Sequence, residues 1–180
     1  MRPVNAQKYG QPFIEYLSNY TVEAKAPRTE MPYYMAGHPM EIAARLLEKD
    51  QDSVYKYQKY PLVVLKMDIP EPYREGGFYE YDLNVAFIAF TEKNWNYEER
   101  LEKVIKPVLA PMYERFLAEL WNIGGFVWDG DARRPPHVPI IRPFWGTENS
   151  TRMGNEKSII NDPLDAIEIK SLKIKKSIKC

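Results

Sequence analysis

The sequence is poor in the residues that hold metals, form disulfides or act as nucleophiles. It has one cysteine, Cys180, and two histidines, His38 and His137, among 180 residues. A single cysteine excludes an intramolecular disulfide, and these residues do not have the spacing of zinc ligands. Both histidines stand beside prolines, where a surface or capping role is more common than a catalytic one. We expect Cys180, at the end of the sequence, to be too loosely held to serve as a positioned nucleophile.

An excess of charge and long apolar runs are also missing. The 25 Lys and Arg residues balance 25 Asp and Glu residues, so the formal net charge is zero. Because a protein that grips nucleic-acid backbones carries a basic excess, this balance argues against that class. No apolar run approaches the roughly 18 residues that cross a bilayer, and the first residues lack the apolar core of a secretion signal. We therefore expect a soluble protein of a reducing compartment, or one assembled there.

Proline and tyrosine are abundant, with 15 and 13 residues respectively. Proline favours extended backbone, and tyrosine is enriched at protein–protein interfaces. Residues 1–35 combine both types without a hydrophobic period, which predicts an extended N-terminal arm. Because a solvated tail is normally poor in aromatics, the arm should pack either on its own domain or on a neighbouring subunit. Its prolines and aromatics are Pro3, Tyr9, Pro12, Phe13, Tyr16, Tyr20, Pro27, Pro32, Tyr33 and Tyr34.

Two segments have apolar residues at helical spacing. The first follows Pro39, a residue that suits the first turn of a helix. Its apolar face is Ile42, Ala43, Leu46 and Leu47. The second covers 96–120 and opens with a possible capping-box pair, Asn96 and Glu99. Its apolar face is Tyr97, Leu101, Val104, Ile105, Val108, Met112, Phe116 and Leu120. Pro107 and Pro111 each remove an interior hydrogen bond, so we predict a kink or break there.

Strand-like patterns occupy much of the remaining sequence. The run 60–67 is apolar at odd and even positions alike, which predicts a central strand that is buried on both faces. In the segment 78–90 the residues on one face are apolar throughout, while those on the other face pass from polar to apolar along the strand. The segment 166–178 alternates with a change of phase at Ser171, which predicts a bulge. A short edge strand is predicted over 138–144 despite Pro139 and Pro143.

These elements predict an α+β protein with a small antiparallel or mixed β-sheet and two main helices packed on one face. We expect one domain over 36–180, with a long irregular loop at 121–160 and the N-terminal arm over 1–35. A long arm and a long loop on a modest core are typical of a subunit that contacts neighbours, because loops longer than roughly 12–15 residues are uncommon without a function.

The sequence offers no convergent catalytic set, and it has no P-loop, nucleophile elbow or dinucleotide-binding fingerprint. The nearest pattern is acidic: Asp162, Glu168 and Lys170 resemble the metal site of many nucleases. The same pattern describes any half-exposed strand, so a plain strand face remains the simpler interpretation. Asp129 and Asp131 suggest a calcium loop, but no further ligands follow at the required positions. We therefore predict no catalytic, cofactor-binding or metal-binding residues.

Basic residues cluster towards the end of the sequence and in the long loop. They are Lys170, Lys173, Lys175, Lys176 and Lys179, with Arg133, Arg134 and Arg142 in the loop. One interpretation is a solvated strand face whose lysines protect an edge against aggregation. The other is contact with nucleic acid or with an acidic partner surface.

The succession of elements resembles neck and tail-completion proteins of tailed bacteriophages. The similarity is closest to versions from phages and prophages of Bacteroidetes, including crAss-like phages, and covers about 32–120 and 161–174. The segments that carry it are EIAARLL (41–47), KYPLVVL (59–65), NVAFIA (84–89), EERLEKVIKPVL (98–109) and DAIEIKSL (165–172).

This resemblance implies a non-enzymatic structural protein of the virion. It would form a ring in the neck or tail, as a head–tail connector or tail terminator around the DNA channel, joining portal to tail. Its partners would be further copies of itself, neighbouring portal, neck and tail proteins, and DNA that passes without sequence-specific binding; no membrane is involved. Assembly would take place in the host cytoplasm. The alternatives are a Mg²⁺-dependent nuclease that uses Asp162, Glu168 and Lys170, and a small protein-binding adaptor.

Overall fold

A seven-stranded mixed sheet organises the residues that the structure, a computed structural model, describes: 32–51, 59–66, 73–75, 78–123, 126–129, 134–146 and 162–177. The strands are β1 (Tyr33–Gly37), β2 (Leu62–Lys66), β3 (Tyr73–Glu75), β4 (Phe78–Phe90), β5 (Phe126–Val127), β6 (Val138–Arg142) and β7 (Leu164–Ser177). The helices are α1 (Pro39–Gln51), α2 (Tyr97–Arg100) and α3 (Ala110–Ile123), with a π-helical segment, Leu101–Leu109, between α2 and α3. The predicted α+β class is confirmed.

The strand order is β1-β2-β4-β7-β5, with β3 also paired to β4 and β6 also paired to β7. Only β1 and β2 run parallel, and the other pairs are antiparallel. A parallel pair needs a crossover connection, which α1 supplies between β1 and β2. The last three residues of the predicted arm, 33–35, therefore belong to the sheet. The sequence did not indicate this strand because five residues are too few to show a period. Residues 1–31 lie outside the described residues.

Strand β2 lies between β1 and β4, and its apolar residues are buried on both faces, as predicted. The two faces are covered by different helices. On one face, Val63 and Phe87 belong to the same core cluster as Phe116 of α3. On the opposite face, Leu62 packs in a cluster with Ile42 of α1.

The prediction that both main helices pack on one face is therefore wrong. The physical reason is that β2 and the second half of β4 are apolar at both parities, so each face must be covered to remove it from water. Within α1, Ile42 and Leu46 are buried as predicted, whereas Leu47 is exposed.

The long helix begins at the predicted capping box. The Glu99 N–H donates to Asn96 Oδ1 at 2.9 Å, and the Asn96 N–H donates to Glu99 Oε2 at 3.0 Å. Pro107 lies inside the π-helical segment, where the helix is wider but unbroken, and the Ala110 N–H donates to Ile105 O, five residues back. A wider turn accommodates the proline ring and its missing donor inside a continuous helix.

The apolar face of this helix differs in part from the predicted one. Tyr97 is 57 % exposed and does not pack in the core. Leu109 and Leu117, which the prediction omitted, are buried. For Leu109 and Leu117 the difference arises because the π-helical segment changes the angular positions of residues within it and after it. Tyr97 precedes that segment, in the first turn of the helix.

Strands β4 and β7 form the longest pairing in the sheet. Their register passes from Leu83 opposite Leu172 to Val85 opposite Ile169, so two residues of β7 face one of β4. Ser171, at this irregularity, has a positive φ of 52°. The bulge predicted at Ser171 is confirmed. The predicted loop over 121–160 is in part regular, since it contains the end of α3 together with β5 and β6.

Candidate assembly surface

The edge of the sheet beyond β7 carries exposed apolar side chains. β5 and β6 both pair with β7 on this side, β5 opposite 175–176 and β6 opposite 166–170. Four apolar residues of these strands and of the turn after β6 are 38–56 % exposed: Val127, Val138, Ile141 and Phe144. We refer to these four residues as the edge patch. Val138 and Ile141 lie three positions apart on β6 and so belong to opposite faces of the sheet, which makes the edge patch a row of apolar residues along the edge and not one continuous surface. Single exposed apolar residues are ordinary, and such a row makes this edge a candidate interaction surface.

The backbone of β6 is a poor template for a further strand. In the described part of the chain β6 pairs with β7 alone. Pro139 lies within the strand and Pro143 follows it, and neither has an N–H to donate. Proline on an edge strand limits the addition of another strand. A partner at this edge would therefore contact side chains more than backbone.

The turn after β6 is attached to both faces of the sheet. The ring of Phe144 lies over the guanidinium of Arg100, with 3.7 Å from Cζ to the ring centroid. The next residue, Trp145, packs in the core on the α1 face. Its backbone N–H donates to Leu164 O at 2.6 Å, and its indole N–H donates to Glu168 Oε1 at 2.9 Å. These contacts hold Phe144 in place before any partner binds, which reduces the entropy lost on association.

A buried ion pair supports this turn. Arg100 is 1 % exposed and Asp165 is fully buried, with 2.8 Å between Nη1 and Oδ1. The Phe144 N–H also donates to Asp165 Oδ1, at 3.1 Å. Arg100 donates further hydrogen bonds to three acceptors in the loop before α2: Thr91 Oγ1, Glu92 O and Trp95 O. A buried charge is tolerated when such partners satisfy it, and here they join the loop, the turn and β7.

Two of the three residues of the alternative nuclease site, Asp162 and Glu168, are engaged in ion pairs. Asp162 accepts hydrogen bonds from the Lys59 ammonium and, at 3.0 Å, from the Tyr60 hydroxyl. Glu168 is buried and accepts from Lys66 Nζ at 2.6 Å. Lys170 follows two residues later on β7 and shares the sheet face of Glu168. Among the described residues no group of three or more His, Cys, Asp or Glu side chains could hold a metal ion.

The environment of Glu168 keeps its carboxyl group ionised. Burial alone would raise the pKa of this carboxyl, but the hydrogen bonds from Lys66 and Trp145 outweigh that effect and the pKa is lowered. A carboxylate with a lowered pKa and committed donors is a structural anion, and its charge balances that of Lys66. Arg142, whose Nε lies 3.4 Å from Glu168 Oε2, adds a second cation.

The other polar residues that the sequence singled out also have local partners. The ring Nδ1 of His38 accepts from the Met40 N–H at 3.3 Å, at the start of α1. His137 Nδ1 lies 2.6 Å from Pro135 O, and its Nε2 lies 2.7 Å from the Tyr113 hydroxyl. Because a carbonyl can only accept, Nδ1 carries the proton in that bond. Asp131 and Cys180 lie outside the described residues.

Two of the C-terminal lysines, Lys173 and Lys175, lie near acidic residues. Lys175 Nζ donates to the two carboxylate oxygens of Asp129 at 2.8 and 3.0 Å, and lies 3.8 Å from Glu80 Oε2. Lys173 stands opposite Asp82 in the β4–β7 register. At these two lysines the acidic neighbours offset the positive charge.

One basic residue of the loop, Arg134, is also paired with an acidic residue. Arg134 forms a two-pronged pair with Glu114, and one of its bonds, from Nη1 to Oε1, measures 3.2 Å. Arg133, Lys179 and the side chain of Lys176 lie outside what the structure describes.

Sequence reasoning missed the Arg100–Asp165 pair and the turn that it supports. A signal was present: Arg100 lies one helical turn before Val104, on the apolar face, and Asp165 shares the parity of Ile167 and Ile169 on β7. A charged residue at a position of apolar periodicity indicates a buried pair or a site. Its partner could not be identified, because 65 positions separate the two residues.

Comparison of the chain with protein-family models, with curated proteins and with solved structures gives no match. In the part of the chain that the structure describes, no helix is both long and apolar enough to span a membrane. The edge patch and the network beneath it are therefore the strongest basis for a functional interpretation.

Proposed function

We propose that this protein is a structural subunit of a tailed-bacteriophage virion. Copies of it form a closed ring in the neck or tail, as a head–tail connector or tail terminator around the DNA channel. The observation that carries the proposal is the edge patch, in which buried contacts hold Phe144 in place. The opposite edge of the sheet is β1. When two different edges of identical subunits meet head to tail, the contacts repeat, and a suitable rotation closes them into a ring.

The charge distribution supports this function. A channel through which DNA moves should not hold phosphates tightly, because each neutralised phosphate adds salt-dependent affinity. The chain has no net charge, and Lys175 lies close to Glu80 and Asp129. The sequence resemblance to neck and tail-completion proteins points in the same direction.

In this proposal the partners are further copies of the chain and the adjacent portal, neck and tail proteins. DNA passes through the ring without sequence-specific binding. The protein is located in the virion after assembly in the host cytoplasm. No cofactor, metal or catalytic residue is required.

A small protein-binding adaptor is the second candidate, because the edge patch would serve a single different partner equally well. The two candidates differ in self-association: the ring subunit binds copies of itself, and the adaptor does not. The nuclease alternative gains no support, since Asp162 and Glu168 are each paired with a lysine.

Substitution in the edge patch tests the proposal. We expect the purified chain to form a discrete ring by light scattering and negative-stain electron microscopy. The double variant Val138→Lys/Ile141→Lys should be monomeric at the same concentration, because two charges would have to be buried in the contact. The matched control is Met40→Lys, which changes a 54 % exposed residue of α1 and should assemble normally.

Three outcomes separate the candidates. A wild-type chain that stays monomeric at all concentrations and binds one other virion or host protein would favour the adaptor. Rings that persist in the double variant would remove the edge patch from the interface. Rings lost in both variants would show a general effect of added charge.

A further inference from the structure

A groove of about 620 Å³ runs along the outer surface of α3, next to the sheet edge that carries the edge patch. Arg134, which precedes β6, forms part of its lining. Ala118 lies at its centre, because helical spacing places it between Glu114 one turn before and Trp121 one turn after. A small side chain at this position leaves a notch between larger neighbours.

The two sides of the notch are flat and held in position. Trp121 is 51 % exposed, and its ring contacts that of Trp128 with 5.7 Å between centroids. On the other side Glu114 holds the guanidinium of Arg134 in a two-pronged pair. An indole and a guanidinium both stack well on aromatic rings. The notch therefore fits a flat aromatic side chain, and Arg134 can donate to a hydroxyl at its tip.

We propose that this groove binds aromatic side chains from residues 1–31 of a second copy of the chain. The proposal rests on the self-assembly proposed above and identifies one of its contacts. Residues 1–31 contain four aromatics at short intervals: Tyr9, Phe13, Tyr16 and Tyr20. A segment of this length can extend to about 100 Å at roughly 3.3 Å per residue, so it can reach a neighbouring subunit.

The topology favours a second copy as the source. Residues 1–31 lead into β1, at one edge of the sheet, whereas Trp128 follows β5 and Arg134 precedes β6 at the other edge. In a head-to-tail arrangement the β1 edge of one subunit faces the β5–β6 edge of the next. The register places the start of β1 level with Ala166, nine residues from Lys175, which pairs with β5. The arm of each copy therefore runs roughly 30 Å along its neighbour to reach the groove, a distance its length allows, and each subunit both gives and receives one arm.

Photo-crosslinking in the full chain tests this contact. Benzoylphenylalanine replaces Tyr9, Phe13, Tyr16 or Tyr20 in four separate variants, and each is mixed with an equal amount of isotope-labelled chain before irradiation. We expect crosslinked dimers from at least one position, with the attachment mapped by mass spectrometry to α3 between 114 and 122. Peptides that pair one labelled and one unlabelled chain identify contacts between copies.

Filling the notch with a larger side chain provides the second part of the experiment. Ala118→Trp in the same chains should lower the yield of α3 crosslinks at least tenfold, and Trp121→Ala should also reduce it. The matched control Ala44→Trp places the same side chain on an exposed position of α1 and should leave the yield unchanged. Circular dichroism of each variant shows that the fold is retained.

The outcomes distinguish this contact from the ring itself. Crosslinks from all four positions that avoid α3, or that join residues of one chain only, overturn the contact. If the chain forms rings but gives only such crosslinks, the contact is wrong and the proposed function remains intact. Mixed-label crosslinks to α3 without closed rings support the contact and overturn the ring.

Discussion

At Arg100 a charged side chain occupies a position on the apolar face of a helix. It is satisfied there by a carboxylate, by a hydroxyl, by two backbone carbonyls and by the ring of Phe144. Replacing such a pair by apolar residues can be neutral, whereas removing one partner leaves a buried charge alone. The pair therefore serves as a connection among three segments, and its loss should affect all of them.

We predict that Arg100→Met lowers the free energy of unfolding by about 3–5 kcal/mol, because Asp165 would remain buried without its cation. Urea denaturation followed by fluorescence measures the change. The control Lys103→Met removes an exposed partner of Glu99 and should cost less than about 1 kcal/mol. The double variant Arg100→Met/Asp165→Leu should recover part of the loss. A stability of Arg100→Met equal to that of the Lys103 control would contradict this account of the pair.

At the scale of single elements, the long strand β7 pairs with different neighbours on the two sides of its bulge. Before Ser171 it pairs with β6 as well as β4, and near its end it pairs with β5. A bulge bends and twists the strand that contains it. β5 and β6 pair with β7 at the same edge, on either side of the bulge, and both contribute residues to the edge patch.

Ser171 provides a test of this element. Its side chain is exposed and its φ is 52°, a conformation in which a Cβ atom costs about 1–2 kcal/mol. We predict that Ser171→Gly raises the free energy of unfolding by about 0.5–1 kcal/mol and that Ser171→Val lowers it by about 1 kcal/mol. Chemical denaturation measures both.

The matched control for Ser171 lies two residues further along the same strand. Lys173→Gly, at an exposed position without a positive φ, should lose about 0.5–1 kcal/mol, because glycine gives up more conformational freedom on folding. If glycine destabilised both positions to the same extent, the bulge would not depend on the backbone conformation at Ser171.

At the scale of the whole molecule, the sheet has two different edges and a chain segment that enters at one of them. β1 forms one edge, and β5 with β6 lines the other. The position of β1 moves the boundary of the predicted arm from residue 35 to before residue 33. A truncation that removes only the arm must therefore stop before β1.

We predict that deleting residues 1–31 abolishes ring assembly and leaves the domain folded, because no described strand or helix is removed. Deleting residues 1–37 should instead lower the melting temperature sharply, since it removes β1 and the buried side chain of Met35 from the α1 face. Light scattering and thermal denaturation of both truncations test this. Normal rings from the shorter deletion would contradict the role of the arm.

Much of the fold could be read from local pattern. The bounds of β4, the start of α1 at Pro39, the capping box at Asn96 and the bulge at Ser171 agree with the predictions. Each depends on residues only a few positions apart, whose periodicity, missing donors or phase are visible in the sequence. β1 was missed because five residues show no period, and the π-helical segment because a proline can kink, break or widen a helix.

The arrangement of the site depended on contacts between distant segments. Which face α1 covers, the burial of Arg100 against Asp165 and the gathering of Val127, Val138, Ile141 and Phe144 at one edge follow from strand order and register. The same register places Glu168 beside Lys66, 102 positions away, and so turns a candidate metal ligand into a structural anion. Composition and periodicity specify how much surface each element must bury. Which charged residue meets which partner is decided by the strand order and register of the sheet, because these bring distant residues together.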